Sequence, residues 1–134
     1  MSTLITQTIQ SSTSGPPIFK NSSGTEKGQL ATAWINFDGR FSDGIRDDFN
    51  LSSYADLGTG KYTFTFDTAM ANANYCVVSS GHMSRNDSDA GVEGNAREMG
   101  AYIKTTTNFK LVVTYDGQTL QDAANIFCVV FGGV

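Results

Sequence analysis

The segment KYTFTFD, residues 61–67, carries the clearest structural signal in the chain. Because side chains alternate along a strand, its three aromatic residues share one face and its two threonines share the other. This pattern predicts a strand with a buried aromatic face and a solvent-facing β-branched face. The preceding Gly58-Thr59-Gly60 predicts a turn, since glycine reaches positive φ without steric cost.

Similar strand signals recur on both sides of this segment, separated by turn residues. They lie at residues 31–37, 45–51, 75–80, 99–104, 109–115 and 125–131. With the segment at residues 61–67 and a short region near residues 41–45, the total is about eight strands at a spacing of roughly 8–12 residues. This pattern predicts an all-β fold, an antiparallel β-sandwich or jelly roll. We expect residues 52–60 to form a connector.

Two of the strand segments are apolar on both faces. Trp34 lies on the face opposite Ile35 and Phe37, and residues 125–131 are almost wholly apolar. A strand of this kind is buried on both sides, either at the centre of the fold or at a subunit contact.

Residues 45–51 predict one continuous strand. In it, Asp47 interrupts an apolar face formed by Ile45, Phe49 and Leu51. We expect the carboxylate to pair with a nearby arginine or to lie at an exposed strand end.

Length and composition define the organisation of the chain. The 134 residues include 40% hydrophobic and 16% charged residues, which is enough for one domain with its own core. Residues 1–19 carry no charged side chain and include Gly15-Pro16-Pro17, a sequence that favours an extended path. We therefore predict an N-terminal arm and linker over residues 1–19 and a β-sandwich over residues 20–134.

Charge and hydropathy exclude several classes of partner. The net charge of −4 argues against nucleic acid, which requires a basic patch. No apolar run approaches the roughly 20 residues of a membrane-spanning helix, and the N-terminus lacks the basic region of a secretory signal. We expect no membrane insertion, and synthesis and folding in a cytoplasm.

The two cysteines, Cys76 and Cys128, lie in apolar segments. Two cysteines and one histidine do not complete a zinc site. We therefore expect two buried thiols, with a disulfide as the less favoured alternative.

The longest segment without a strand signal is GHMSRNDSDAGVEGNARE, residues 81–98. A polar loop of this length in a compact domain is typical of a functional or a disordered segment. We predict that it displays a binding site. The candidate receptor-binding residues are His82, Arg85, Asn86, Asp87, Asp89, Glu93 and Arg97.

Other chemistries are weakly supported by the sequence. A Ser/His/Asp hydrolase centred on His82 lacks a nucleophile elbow, and the carboxylates from Asp87 to Glu93 do not match a calcium loop. If a sugar binds, Tyr54 and Tyr102 are the aromatic residues to test first. We expect no catalytic residues, no metal and no cofactor.

Three segments of the chain carry a resemblance to a known module. They are AWINFDG (33–39), IRDDFNLSSYADLGTGKYTFTF (45–66) and TAMANANYCVV (68–78). They resemble a module that is widespread in tailed bacteriophages, especially phages of marine and aquatic bacteria, and that occurs in tail-fibre and other virion surface proteins. The resemblance covers about a third of the chain closely. It implies a structural protein of the virion and no reaction.

The resemblance also implies an oligomeric state and the partners that the loop and the arm would bind. It implies a homo-oligomer, a trimer as in phage fibres, in which the 81–98 loop contacts a glycan or protein of the host surface. The arm would dock onto other virion proteins, although a frayed tail is the alternative. The candidate docking residues are Leu4, Ile5, Thr6, Gln7, Thr8 and Ile9. A capsid decoration or cement protein, a head fibre and a free-standing carbohydrate-binding module remain alternative functions.

Overall fold

The computed structural model describes residues 6, 8–10, 17, 19–40, 44–82, 97–115 and 117–133. These residues form eleven strands and no helix, and every strand pairing is antiparallel. No helix that could cross a membrane is present among them. The predicted antiparallel β-sandwich is confirmed. The strands are β1 (Phe19–Lys20), β2 (Glu26–Gly28), β3 (Ala33–Asp38), β4 (Gly44–Phe49), β5 (Leu51–Asp56), β6 (Lys61–Phe66), β7 (Tyr75–His82), β8 (Glu98–Lys104), β9 (Asn108–Tyr115), β10 (Thr119–Leu120) and β11 (Asn125–Gly132).

Two sheets form the sandwich. The four-stranded sheet has the order β4-β3-β11-β7, so that the apolar strand β11 lies inside it. In the five-stranded sheet, β9 lies between β6 and β8, β5 forms the edge beyond β6, and β10 pairs with the end of β9. The short β1–β2 hairpin pairs with neither sheet.

The core lies between the two sheets and is built by alternation along the long strands. Phe64 and Phe109 are completely buried, and their ring centroids are 5.3 Å apart. Phe37, from the opposite sheet, places its ring 5.1 Å from Phe64 at a steep angle. Such edge-to-face contacts contribute about 0.5–1.5 kcal/mol beyond the burial of area. The predicted buried face of residues 61–67 is therefore confirmed as the centre of the core.

The prediction of one continuous strand over residues 45–51 is wrong. In β4, Ile45 is opposite Phe37 and Asp47 is opposite Asn36, which leaves Arg46 as the extra residue of a β-bulge. A bulge inserts one residue and reverses the alternation beyond it. Asp47 therefore lies on the outer face of the sheet, where it is exposed.

The strand also ends at Phe49, because the chain changes sheets at Asn50. Asn50 has a φ of 58°, a left-handed conformation that asparagine tolerates better than most residues. Its side-chain amide donates to the carbonyl of Thr32 at 3.0 Å, and its Oδ1 accepts from the N–H of Thr68 at 2.7 Å. The corner is thus held by side-chain hydrogen bonds, and Leu51 enters the core from the other sheet.

Residues 52–60 were expected to form a connector, and that expectation is wrong for residues 52–56. They belong to β5, which forms an edge of the five-stranded sheet. Of the six residues in β5, only Leu51 is buried. An edge strand with so little burial lacks the apolar alternation by which a strand is detected in a sequence.

Candidate functional site

Two edge strands meet where the 83–96 segment leaves and re-enters the sandwich. β7 is an edge of the four-stranded sheet, and β8 is an edge of the five-stranded sheet. The backbone N–H of Arg97 donates to the carbonyl of Gly81 at 3.1 Å, which joins the two strands at this point. Both ends of the segment are therefore fixed side by side at one end of the sandwich.

Close packing at this junction requires a glycine. A Cβ atom on residue 81 would lie 2.5 Å from the carbonyl oxygen of Asn125 and would collide with the methyl group of Met99. Any larger residue at Gly81 would therefore strain the pairing of β7 with β11 and displace the side chain of Met99 on β8. The junction depends on a residue without a side chain.

Of the candidate receptor-binding residues, His82 and Arg97 lie within the described part of the chain. Arg85, Asn86, Asp87, Asp89 and Glu93 lie outside the described residues. Arg97 is 8% exposed, and its guanidinium carbon is 5.1 Å from the centroid of the Tyr115 ring. This stacking suits a residue that anchors the end of the segment.

His82 is the last residue of β7 and is opposite Asn125 on β11. It is partly buried. Ser79 lies three residues earlier and therefore on the other face of the strand, so that it cannot act as a nucleophile activated by His82. Ser80 shares the face of His82 and is exposed. Within the described residues, Ser79 is thus excluded as the partner of His82, and the acidic residues of the adjoining segment, Asp87 and Asp89, lie outside them.

The candidate docking residues of the arm are only partly described. Leu4, Ile5 and Gln7 lie outside the described residues, whereas Thr6, Thr8 and Ile9 are exposed. Ile9 is not in a strand. The role of the arm in docking stays a prediction.

A row of apolar side chains crosses the outer face of the four-stranded sheet. Val129 on β11 is opposite both Trp34 on β3 and Val78 on β7. Trp34 is in turn opposite Phe49 on β4. Directly opposed residues share a face, with Cβ atoms about 4.5–5.5 Å apart. The four side chains therefore form one continuous strip.

Two phenylalanines on β11 widen this strip. Phe127 and Phe131 lie two residues on either side of Val129 and share its face, and Cys76 is opposite Phe131. We call this surface the apolar face. It consists of Trp34, Phe49, Cys76, Val78, Phe127, Val129 and Phe131.

Five of the seven side chains of the apolar face are exposed, and Trp34 and Val129 are half-buried. The exposed fractions are 53% for Phe49, 58% for Val78, 43% for Phe127 and 39% for Phe131. Single exposed apolar residues are ordinary, but a contiguous group of them marks an interaction site. The predicted burial of β3 and β11 on both sides is therefore not found within the single chain, where one side packs in the core and the other is an open apolar surface.

The outer face of the five-stranded sheet has a different character. Lysine and threonine dominate the positions that alternate with the core residues of β6 and β9. We call this surface the polar face. It consists of Ser53, Ala55, Lys61, Thr63, Thr65, Glu98, Gly100, Tyr102, Lys110, Val112 and Thr114.

A buried ion pair closes one end of the four-stranded sheet. Arg46 donates to Asp38 at 2.6 Å, and the side chain of Asp38 is 0% exposed while that of Arg46 is 24% exposed. Arg46 also donates to the Ala124 carbonyl at 2.8 Å and to the Asn125 side chain at 2.7 Å. The carboxylate is inaccessible to a substrate, so this cluster is structural.

A second carboxylate, which is half-buried, holds the neighbouring turns together. Asp122 accepts from the hydroxyl of Tyr62 at 2.6 Å and from the N–H of Gly60 at 2.7 Å. Burial, and then the hydrogen bond to Asp122, raise the pKa of Tyr62 far above its ordinary value. Tyr62 is therefore a fixed hydrogen-bond donor, which suits a structural role.

The two tyrosines considered for sugar stacking lie far apart. Tyr54 is on β5 and packs its ring 4.7 Å from that of Phe37, whereas Tyr102 is on β8. β5 and β8 are separated by two strands, which corresponds to about 14 Å between the edges of the sheet. The two rings therefore cannot form one stacking platform.

The two cysteines have different surroundings. Cys128 is buried in the core, and burial raises its pKa to about 12. Cys76 is exposed on the apolar face, so the prediction of a buried thiol is confirmed for Cys128 and wrong for Cys76. The two side chains lie on opposite faces of one sheet, and both thiols are free.

Neither metal ligands nor known relatives point to a function. Among the residues that the structure describes, no group of three histidine, cysteine or acidic side chains could hold a metal ion. The chain matches no protein-family model, no curated protein and no solved structure.

Proposed function

We propose that this chain is a structural protein of a tailed-bacteriophage virion, a tail-fibre or tail-tip component that presents the 83–96 segment to the host surface. The proposal joins the sequence resemblance to the geometry of the sandwich. It assigns the chain a binding role and no catalytic one.

The observation that supports the display role is the junction of β7 and β8. The bond from Arg97 to Gly81 fixes both ends of the segment on two different sheets. The stacking of Arg97 on Tyr115 adds a further anchor. A loop held at both ends by a rigid scaffold is the usual arrangement of a recognition site.

A weak site can suffice in this setting. A virion carries many copies of its surface proteins, and linked sites raise the overall affinity by about 10²–10⁴-fold without any new contact. Residues Arg85, Asn86, Asp87, Asp89 and Glu93 would supply charged and amide groups for contact with a glycan or a protein. His82 and Arg97 would define the ends of that surface.

The display role can be tested with labelled protein on bacterial cells. The full chain, biotinylated and assembled on fluorescent streptavidin, would be applied to a panel of marine and aquatic bacterial isolates and measured by flow cytometry. A matched variant replaces residues 84–95 with a glycine-serine linker of equal length. We expect a subset of isolates to be stained by the natural chain and not by the variant.

The control is the folded state of the variant. Its thermal unfolding and circular dichroism must match those of the natural chain, because the junction at Gly81 and Arg97 is retained. Staining of no isolate, or equal staining by both proteins, would contradict a receptor-binding role for the segment.

A capsid decoration or cement protein is the second candidate, and the apolar face favours it. A cement protein works by covering neighbouring subunits, and an open apolar sheet suits such a contact. Immunogold microscopy with antibodies against the purified chain separates the two candidates. Labelling of tail fibres or tips supports the first, and labelling spread over the capsid supports the second.

A further inference from the structure

We propose that the apolar face is the contact between two copies of this chain, which pack sheet against sheet about a two-fold axis parallel to β3 and β11. The inference goes beyond the proposed function and does not rest on host attachment. Its evidence is the register of the four-stranded sheet.

The register places large and small side chains in matching rows. In the order β4, β3, β11, β7, one row reads Phe49, Trp34, Val129, Val78. Large side chains thus occupy one half of this row and small ones the other half.

A neighbouring row has its large side chain on a different strand. It reads Asp47, Asn36, Phe127, Ser80 in the same strand order. Here the large aromatic ring stands on β11, opposite the small amide of β3.

A two-fold axis between β3 and β11 converts these rows into a self-complementary surface. The axis places β3 of one copy over β11 of the other, and β4 over β7. Each row of one copy then lies over the same row of the other copy. Trp34 then faces Val129 of the second copy, and Phe49 faces Val78. Every aromatic side chain of the central rows meets a smaller one, which is what two interlocking sheet faces about 10 Å apart require.

The same two-fold arrangement keeps the acidic side chains of the two copies apart. Asp47 is the acidic residue of the second row and is exposed. The axis places it over Ser80 of the second copy, which is a hydrogen-bond donor, and far from the second Asp47. An axis perpendicular to the strands that passed through this row would instead place β4 over β4 and bring the two carboxylates toward each other.

The size of the apolar face fits the core of a homotypic interface. Four strands about 4.8 Å apart, over about five residues each, give a projected area of roughly 300 Å². A standard interface removes about 800 Å² from each partner and consists of an apolar core with a polar rim. The row of Asp47 and Ser80, and the ion-pair cluster of Arg46 beyond it, lie where that rim is needed.

The first experiment is a thiol cross-link. In one chain, Phe49 and Val78 are three strands apart, about 14 Å. Across the proposed axis they face each other over the gap of about 10 Å between two packed sheets, which is too wide for a direct disulfide. The variant Phe49→Cys/Val78→Cys, in a Cys76→Ser background, should therefore give a covalent dimer with a short bifunctional thiol reagent that spans the gap between the sheets but not the distance within one chain. Val78→Cys alone should not, because the axis separates the two copies of residue 78.

The second experiment measures self-association directly. Light scattering and sedimentation of the full chain should show a species of twice the 14.4 kDa chain mass at rising concentration. Val78→Asp buries an unpaired carboxylate in the contact and should weaken self-association more than about tenfold. The matched control is Ala55→Asp, which places the same charge on the exposed edge strand of the polar face and should leave self-association unchanged.

The outcomes separate this inference from the proposed function. A covalent dimer from the double variant alone, with dissociation by Val78→Asp, supports the two-fold contact. A chain that stays monomeric, or a trimer such as the resemblance implies, overturns it. Staining of bacteria through the 83–96 segment is measured independently, so that either result can fail while the other stands.

Discussion

The two outer faces of the sandwich differ although their inner faces are alike. Both sheets direct alternating aromatic and aliphatic residues into one core. Outward, the five-stranded sheet presents threonine and lysine on β6 and β9, whereas the four-stranded sheet presents phenylalanine, tryptophan and valine on β3 and β11. The fold requires only the inner faces to be apolar, so the apolar character of one outer face is an addition that points to a partner.

The largest test asks whether the apolar face contributes to the stability of the free chain. Phe64→Ala removes a fully buried ring from the core and should lower the free energy of unfolding by about 3–5 kcal/mol. Phe127→Ala on the apolar face should lower it by less than about 1 kcal/mol at a dilution where the chain is monomeric. Urea unfolding measures both, and equal losses would mean that the apolar face is core in the single chain.

The next test concerns the charged end of the four-stranded sheet. Asp38→Asn leaves the guanidinium of Arg46 without its ionic partner and should cost about 2–3 kcal/mol, somewhat less than a fully buried pair because Arg46 is 24% exposed. Asp47→Asn, on the same sheet but exposed, should change stability by less than about 0.5 kcal/mol. Thermal unfolding of the two variants side by side is the measurement. A small loss for both would show that the ion pair does not hold this end.

A third test measures how the stability of the folded chain depends on pH through Tyr62, a residue of the five-stranded sheet. The pKa of Tyr62 is raised in the folded chain. Its contribution to the free energy of unfolding is therefore complete below about pH 10, the ordinary tyrosine pKa, and is lost as the pH rises above that value. In that range the unfolded tyrosine loses its proton and the folded one keeps it, which lowers stability by about 1.4 kcal/mol per pH unit. Tyr62→Phe should show a correspondingly shallower decline. An unchanged slope would mean that Tyr62 ionises freely.

The smallest effect concerns the two thiols of the four-stranded sheet. Cys76, on the apolar face, should react with a thiol reagent in the native chain, whereas Cys128 should react only after unfolding, because it is buried and its pKa is raised to about 12. If two copies pack through the apolar face, the reaction of Cys76 should slow as protein concentration rises. A rate independent of concentration would argue against that contact.

Alternation made much of this fold predictable. The predicted strands at residues 61–67 and 109–115 are confirmed, because each half-buried strand repeats every second residue and has a glycine turn at one end. The almost wholly apolar run of residues 125–131 predicted a strand that is central or buried in an interface, and β11 does lie inside the four-stranded sheet. In each case the signal is local and does not depend on which strand is the neighbour.

The features that were missed depend on neighbours. The bulge at Arg46 follows from pairing with β3, and the change of sheet at Asn50 follows from a single left-handed residue held by Thr32 and Thr68. The apolar face becomes visible only when the register places Phe49, Trp34, Val129 and Val78 in one row. The sequence showed that β3 and β11 were apolar on both sides, but not that one side remained open.

The position of β11 has a consequence for biosynthesis. Residues 125–132 pair with β3 on one side and with β7 on the other, so two strands made much earlier stay unjoined until this segment emerges from the ribosome. Contacts between distant parts of a chain form slowly, because a long loop must close before they are gained. During translation the apolar rows of β3 and β7 are therefore uncovered on an incomplete sheet, and this is the interval in which a nascent chain would most need protection from aggregation.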